Sequence, residues 1–131
     1  MPGVKDLIID LHKNGVQLIV ASSSEMIIIN KIFERFGLNQ YFTHKVSGED
    51  FPESKPNPAI FLKAASYSKA PIEECIVIED STNGIKAANA AGIFCVAYKS
   101  EDVNSQDQSL ADTIVYDYTK LNFEKITKIN E

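Results

Sequence analysis

Three short clusters in this chain carry residue types suited to handling a phosphoryl group. They are Ser22-Ser23-Ser24, the loop Ser54-Lys55-Pro56-Asn57-Pro58, and the adjacent carboxylates Glu79-Asp80 followed by Ser81. Serine hydroxyls, with backbone N–H groups at a helix N-terminus, bind phosphate oxygens without needing net charge. A lysine adds a point charge to the same oxygens. Two neighbouring carboxylates at a strand end offer the hard oxygen ligands that Mg²⁺ prefers. Magnesium, lysine and serine together offset the charge of a phosphoryl group in transfer. Each cluster also has a plain structural reading. Serines before a helix serve as caps, a loop lysine is commonly solvated, carboxylates at a helix start are favoured by its dipole, and two prolines stiffen a loop. Order and placement along the chain give the chemical reading its weight.

Residues so far apart need a scaffold that gathers three loops, and the apolar pattern supplies one. Val4, Leu7, Ile8 and Leu11 share one helical face over residues 4–13, and Gly15 stops that helix. Pro2 suits the helix start. Residues 17–21 form a compact apolar run that reads as a buried strand, 25–36 a second helix, and 42–46 a short strand before a polar loop through Pro58. Helix 59–69, strand 75–78, alanine-rich helix 83–91 closed by Gly92, and strand 93–98 follow. The polar segment 99–112 reads as loop, 113–116 as a last short strand, and 123–129 as a terminal helix. Strands alternating with helices imply βαβ crossovers, hence an α/β fold: a Rossmann-like parallel sheet with helices on both faces, in three layers. In such sheets ligands gather beyond the carboxyl ends of the strands, where all three clusters fall.

The 131 residues suffice for one ordinary domain, and 44% hydrophobic with 24% charged residues is the composition of a soluble globular protein. The net charge of −5 gives no general basic field, so neither nucleic acid nor an anionic membrane is expected as a partner. No apolar run approaches a membrane span, and the N-terminal residues lack the basic and apolar regions of a secretory signal. Cys75 and Cys95 lie inside apolar strand-like runs, which makes them buried small hydrophobes rather than a disulfide or metal cluster. A reducing, cytoplasmic setting is expected.

The ordered clusters resemble motifs of the haloacid dehalogenase superfamily, especially its β-phosphoglucomutase-like branch. The similarity runs almost end to end, from Pro2-Gly3-Val4 to Ala111-Asp112-Thr113-Ile114-Val115. Residues 18–24, LIVASSS, look like the second motif, whose first serine, here Ser22, binds the transferring phosphate, with Ser23 beside it. SKPNP at 54–58 resembles the third motif, whose lysine, here Lys55, neutralises that phosphate. VIEDSTNGIKAANAAG at 77–92 resembles the fourth, which places Glu79 and Asp80 on Mg²⁺. The resemblance implies a Mg²⁺-dependent phosphohydrolase or phosphomutase. Such an enzyme transfers phosphate from a small phosphorylated metabolite, a sugar phosphate by this branch, through an aspartyl-phosphate.

The departures from the family pattern matter as much. Ala59 stands where the third motif commonly continues with an acidic residue, and Met26 where some mutases carry asparagine. More seriously, no D-x-D occurs, although the family's first motif supplies its nucleophile and general acid/base from that sequence at the end of a strand. The nearest candidate, Asp10, lies within a helical pattern and is expected to face solvent. The helical cap that follows the first motif is absent too. Residues 1–131 therefore read as a single core domain, incomplete and inactive by itself. In the family the first-motif strand lies between the strands assigned here to Leu18–Ala21 and Ile76–Ile78. Its loss leaves two bare strand edges facing each other, which favours self-association. Two other readings stand beside this one: a non-catalytic module that binds a phosphorylated ligand or a protein partner, and an unrelated doubly wound domain.

Overall fold

The computed structural model describes residues 3–99, 108–116 and 118–129. Pro2 and most of the expected 99–112 loop lie outside them. The elements follow the expected order: α1 (Val4–Lys13), β1 (Ile19–Ser22), α2 (Met26–Phe36), β2 (His44–Ser47), α3 (Ala59–Ser66), β3 (Ile76–Glu79), α4 (Thr82–Ala91), β4 (Phe94–Tyr98), β5 (Thr113–Val115) and α5 (Phe123–Ile129). The boundaries move by a few residues at most. Strand ends differ because pairing, not hydropathy, decides where a strand stops. Ser22 and Glu79 are polar yet pair with Ser47 and Ala97.

Among the described residues all strand pairing is parallel, in two pieces, β1–β2 and β3–β4–β5. Both pieces lie between the same two apolar layers. Ile19, Ala21, Val77, Cys95 and Ala97 pack against α3 and α4 residues Ile60, Phe61, Ile85 and Ala88. On the opposite face Leu18, Ile76, Ile78 and Val96 pack with α1 residues Leu7 and Leu11 and with Ile126 of α5. The strand period of two thus sends alternate side chains into two cores, and the layers number three.

Burial shows where the sheet is open. A central strand of a parallel sheet should be buried on both faces. Cys95, Val96 and Ala97 of β4 meet that rule at 0% exposure, whereas all four residues of β1 and all four of β3 are only half-buried. Among the described residues β1 pairs only with β2 and β3 only with β4.

Asp10 departs from expectation. It does not simply face solvent from α1: its Oδ2 accepts the Phe123 N–H at 2.7 Å, at the start of α5. A carboxylate there satisfies an orphan helix donor and complements the dipole. Asp10→Ala is expected to cost about 1 kcal/mol, the usual loss on removing a helix cap, with Asp10→Asn costing less. Urea unfolding checks this; an unchanged midpoint would mean that α5 docks without the contact. Among the described residues, no helix is long and apolar enough to cross a membrane.

Candidate active site

The three clusters converge at the carboxyl ends of β1 and β3. Lys55 lies in the loop before α3, and its peptide bond to Pro56 is cis. Its Nζ donates to Glu79 Oε2 at 2.9 Å and, more weakly, to the Ala21 carbonyl at 3.4 Å, next to Ser22. The ammonium also lies 4.8 Å from the centre of the Phe61 ring. One lysine thus reaches the carboxyl ends of both β1 and β3. Both members of the ion pair are largely buried, at 10% and 12% side-chain exposure.

Glu79 is engaged on both oxygens. Oε2 holds Lys55, while Oε1 accepts the Asp80 N–H at 3.0 Å, the Ser81 N–H at 3.3 Å and the Ser81 hydroxyl at 3.3 Å. Ser81 in turn caps α4 by accepting the Gly84 N–H at 3.0 Å. Gly84 is what makes room. A Cβ there would run into the Glu79 side chain, so the carboxylate lies directly on the first turn of α4.

The electrostatics separate the two acids. Burial pushes the Glu79 carboxyl up, but the Lys55 ammonium and the donors around it outweigh that, and the group stays below its ordinary 4.5. Asp80 is exposed to solvent, yet it is held above its ordinary 3.8 by partial burial and by the hydrogen bond and negative charge of Glu79. A raised aspartate beside an ionised glutamate marks surplus negative charge at one spot. Such a spot is relieved by a proton or by a cation.

The serine turn does not serve as the helix cap that its plain structural reading implied. Ser23 and Ser24 do not cap α2: Glu25 occupies the cap position without a side-chain bond, and the Met26 N–H is taken by Glu49 at 3.1 Å. Ser22 Oγ accepts the Ser24 N–H at 3.1 Å, within its own turn, and Ser23 is exposed there. The turn is gripped from β2. The fully buried Ser47 donates to the Ser24 carbonyl at 2.6 Å, and Gly48 lies so close that a Cβ would stand 3.0 Å from Ser23 Cα. Ser47, Gly48 and Glu49 are supporting residues that sequence reasoning missed; the only signal was their place after a short strand.

A divalent ion can be tested against these groups. Among the described residues no cluster of three His, Cys, Asp or Glu forms a complete metal site. Asp80 and Glu79 do fit as part of one: two hard-oxygen ligands side by side, with the charge surplus that raises Asp80. Asp80 has the freer carboxylate, since both Glu79 oxygens already accept hydrogen bonds.

Comparison with known proteins identifies the family. Residues 1–92 match the family model for haloacid dehalogenase-like hydrolases. A probable pseudouridine-5'-phosphatase of Drosophila melanogaster is 36% identical over 121 residues, which cover 88% of this chain and 52% of the fly protein. A bifunctional riboflavin kinase/FMN phosphatase of Arabidopsis thaliana is 34% identical over 95% of this chain and 33% of its own length. Among solved structures, β-phosphoglucomutase from Clostridium difficile superposes with a TM-score of 0.85 at 28% identity, covering 99% of this chain and 56% of that one. CbbY from Rhodobacter sphaeroides, crystallised as a D10N mutant with xylulose-(1,5)bisphosphate, gives 0.84 at 28% identity, covering 92% and 55%. The chain therefore spans about half the length of these solved relatives, and between a third and about half of the curated ones. With a family model covering more than two thirds of its residues and the motif side chains gathered at one sheet end, the chain belongs to the haloacid dehalogenase-like hydrolases.

Proposed function

We propose that this chain supplies the phosphate- and cation-binding part of a Mg²⁺-dependent phosphohydrolase or phosphomutase acting on a small phosphorylated metabolite. The observation that carries the reading is the Lys55 bridge, which ties the Ser22 turn to Glu79 and so brings three motif loops to one place. On this reading Ser22, Ser23 and Lys55 hold and orient the phosphoryl oxygens. Asp80, with Glu79, holds Mg²⁺, whose chemistry is to neutralise charge on those oxygens. A sugar phosphate is the proposed substrate class, by analogy with the bisphosphate in CbbY and the phosphomutase neighbour.

The reaction needs a nucleophile that these residues do not include. We assign it to an aspartate at the end of a strand seated between β1 and β3, where both edges are unpaired and half-buried. That aspartate attacks phosphorus as the P–O bond to the metabolite's alcohol breaks, the alcohol leaving with a proton from the second D-x-D aspartate; water or a sugar hydroxyl then discharges the aspartyl-phosphate. Residues 1–131 are then an incomplete core domain, catalytically silent alone, and the bare edges favour self-association until they are covered. The lack of any D-x-D equally suits a second reading, a non-catalytic module that retains phosphate binding. The two free cysteines fit a reducing, cytoplasmic setting, with burial holding the Cys95 thiol up at about 12.

Mg²⁺ titration by calorimetry, with and without inorganic phosphate, tests the proposal on this chain and on Asp80→Ala. The expected result is uptake by the parent chain that weakens at least tenfold in the variant, roughly the 1.4 kcal/mol or more that a metal ligand supplies. Adding an extended peptide ending in D-x-D should then produce turnover of p-nitrophenyl phosphate. Phosphate uptake that ignores both Mg²⁺ and the peptide would favour the binding module; no uptake of either ligand would sink both readings.

A further inference from the structure

Gln108 lies outside every motif, yet its buried side chain is hydrogen-bonded to the main chain of the proposed cation ligand Asp80. It is only 7% exposed. Its Nε2 donates to two main-chain carbonyls, Tyr98 at 2.8 Å and Asp80 at 3.1 Å. Its Oε1 is buried with no hydrogen-bond partner among the described residues. The amide cannot profitably turn over, because that would set Oε1 against two carbonyl oxygens and leave both without a donor. Both amide hydrogens are thus committed, at the expense of an orphaned acceptor.

The position of these bonds gives them meaning. β3 and β4 remain paired up to Glu79 and Ala97, and the chain leaves the ladder at Asp80. There Gln108 replaces the missing ladder bond, tying the first residue beyond β3 to the end of β4. Its own anchorage is firm. The Ala111 N–H donates to the Gln108 carbonyl at 3.0 Å, and Asp112 clamps Cys95 of β4 from both sides, accepting its N–H at 2.8 Å and donating to its carbonyl at 3.0 Å. Tyr98 is held from the other face by stacking on Tyr118, with ring centres 4.2 Å apart.

We propose that Gln108 is the positioning residue for Asp80: by holding the Asp80 carbonyl it fixes the direction in which that carboxylate leaves the sheet. This rests on reading Asp80 as a cation ligand. Groups that orient a ligand commonly set metal affinity by ten- to a hundredfold, although they never touch the ion. Gln108 acts from one step further back, through the main chain, so the lower end of that range applies.

The test compares the parent chain with Gln108→Met, which keeps side-chain length but donates nothing, and with Leu11→Ala, which loosens the core on α1. Mn²⁺ affinity and amide hydrogen exchange are read on each. Gln108→Met is expected to weaken Mn²⁺ binding about tenfold and to speed exchange of the Asp80 and Ser81 amides by a similar factor. Leu11→Ala should lower the melting temperature while leaving both readouts near the parent values. Equal Mn²⁺ affinity and unchanged exchange in Gln108→Met overturn the proposal, as does an equal loss in Leu11→Ala. If the parent chain itself takes up no Mn²⁺, the proposed function fails separately. Exchange then decides alone: acceleration confined to Asp80 and Ser81 supports the positioning role, and its absence overturns it.

Discussion

Replacing Lys55 by methionine is expected to lower stability by roughly 3 kcal/mol at pH 7 and to reverse the way stability responds to acid. Removing one partner of a buried ion pair leaves the other as an uncompensated charge, and such losses run at about 3–5 kcal/mol. Glu79 would be that partner, 12% exposed and facing the vacated space. Its escape is to take up a proton. For a carboxyl of ordinary pKa 4.5, protonation at pH 7 costs about 3.4 kcal/mol, at about 1.36 kcal/mol per unit. That sets a ceiling near the lower end of the range. Methionine preserves much of the lysine stem against Phe61, so lost packing adds little. For a chain of this size the change corresponds to a fall in melting temperature of about 10 °C.

The pH dependence is the sharper test. In the parent chain Glu79 is held below 4.5, so its contribution is complete above 4.5 and is lost as pH falls through the lower folded value. In Lys55→Met the effect of burial is no longer offset by the ammonium, and the folded value rises above 4.5. Stability is then best below 4.5 and lost as pH rises through the new value. Asp80, raised above 3.8, already works in that second sense in both proteins and largely cancels from the comparison. The gap between variant and parent should therefore narrow steadily from pH 7 towards 4.5. Urea midpoints across that interval measure it, and two parallel curves would mean that the Lys55–Glu79 pair does not form in solution.

The sequence exposed some parts of this molecule more readily than others, for physical reasons. Helix and strand periods depend on which residues face a core, and that information is local. Val4 to Lys13 and Phe123 to Ile129 were therefore legible to the residue. The Ser22, Lys55 and Glu79 clusters were legible because their types and order are themselves chemical. Contacts made across long sequence separations were not. Nothing local tells that Asp10 will meet Phe123, 113 residues away, or that Glu49 rather than a serine will take the first amide of α2. Gln108 is the extreme case. A lone glutamine in a polar segment carries no period and no motif, and its importance exists only once β3 and β4 bring two carbonyls to it.

Gly84→Ala is expected to destabilise the chain by about 2 kcal/mol, against the sign that helix propensity alone dictates. Inside α4 an alanine should be better than glycine by about 1 kcal/mol. Gly84 is buried, however, and its added Cβ would occupy the same space as the Glu79 side chain. Overpacking of this kind costs about 1–3 kcal/mol when the neighbour has somewhere to go. Glu79 has nowhere easy to go, because moving it breaks the Lys55 pair and the three donors on Oε1. The penalty should thus exceed the propensity gain by a clear margin. A double-mutant cycle with Glu79→Ala isolates the cause. With the glutamate shortened, Gly84→Ala should become neutral or stabilising, giving a coupling of about 2–3 kcal/mol, within the range seen for residues in contact. If alanine stabilises the parent chain, Glu79 does not lie on the first turn of α4, and the arrangement drawn for Lys55, Glu79 and Asp80 must change with it.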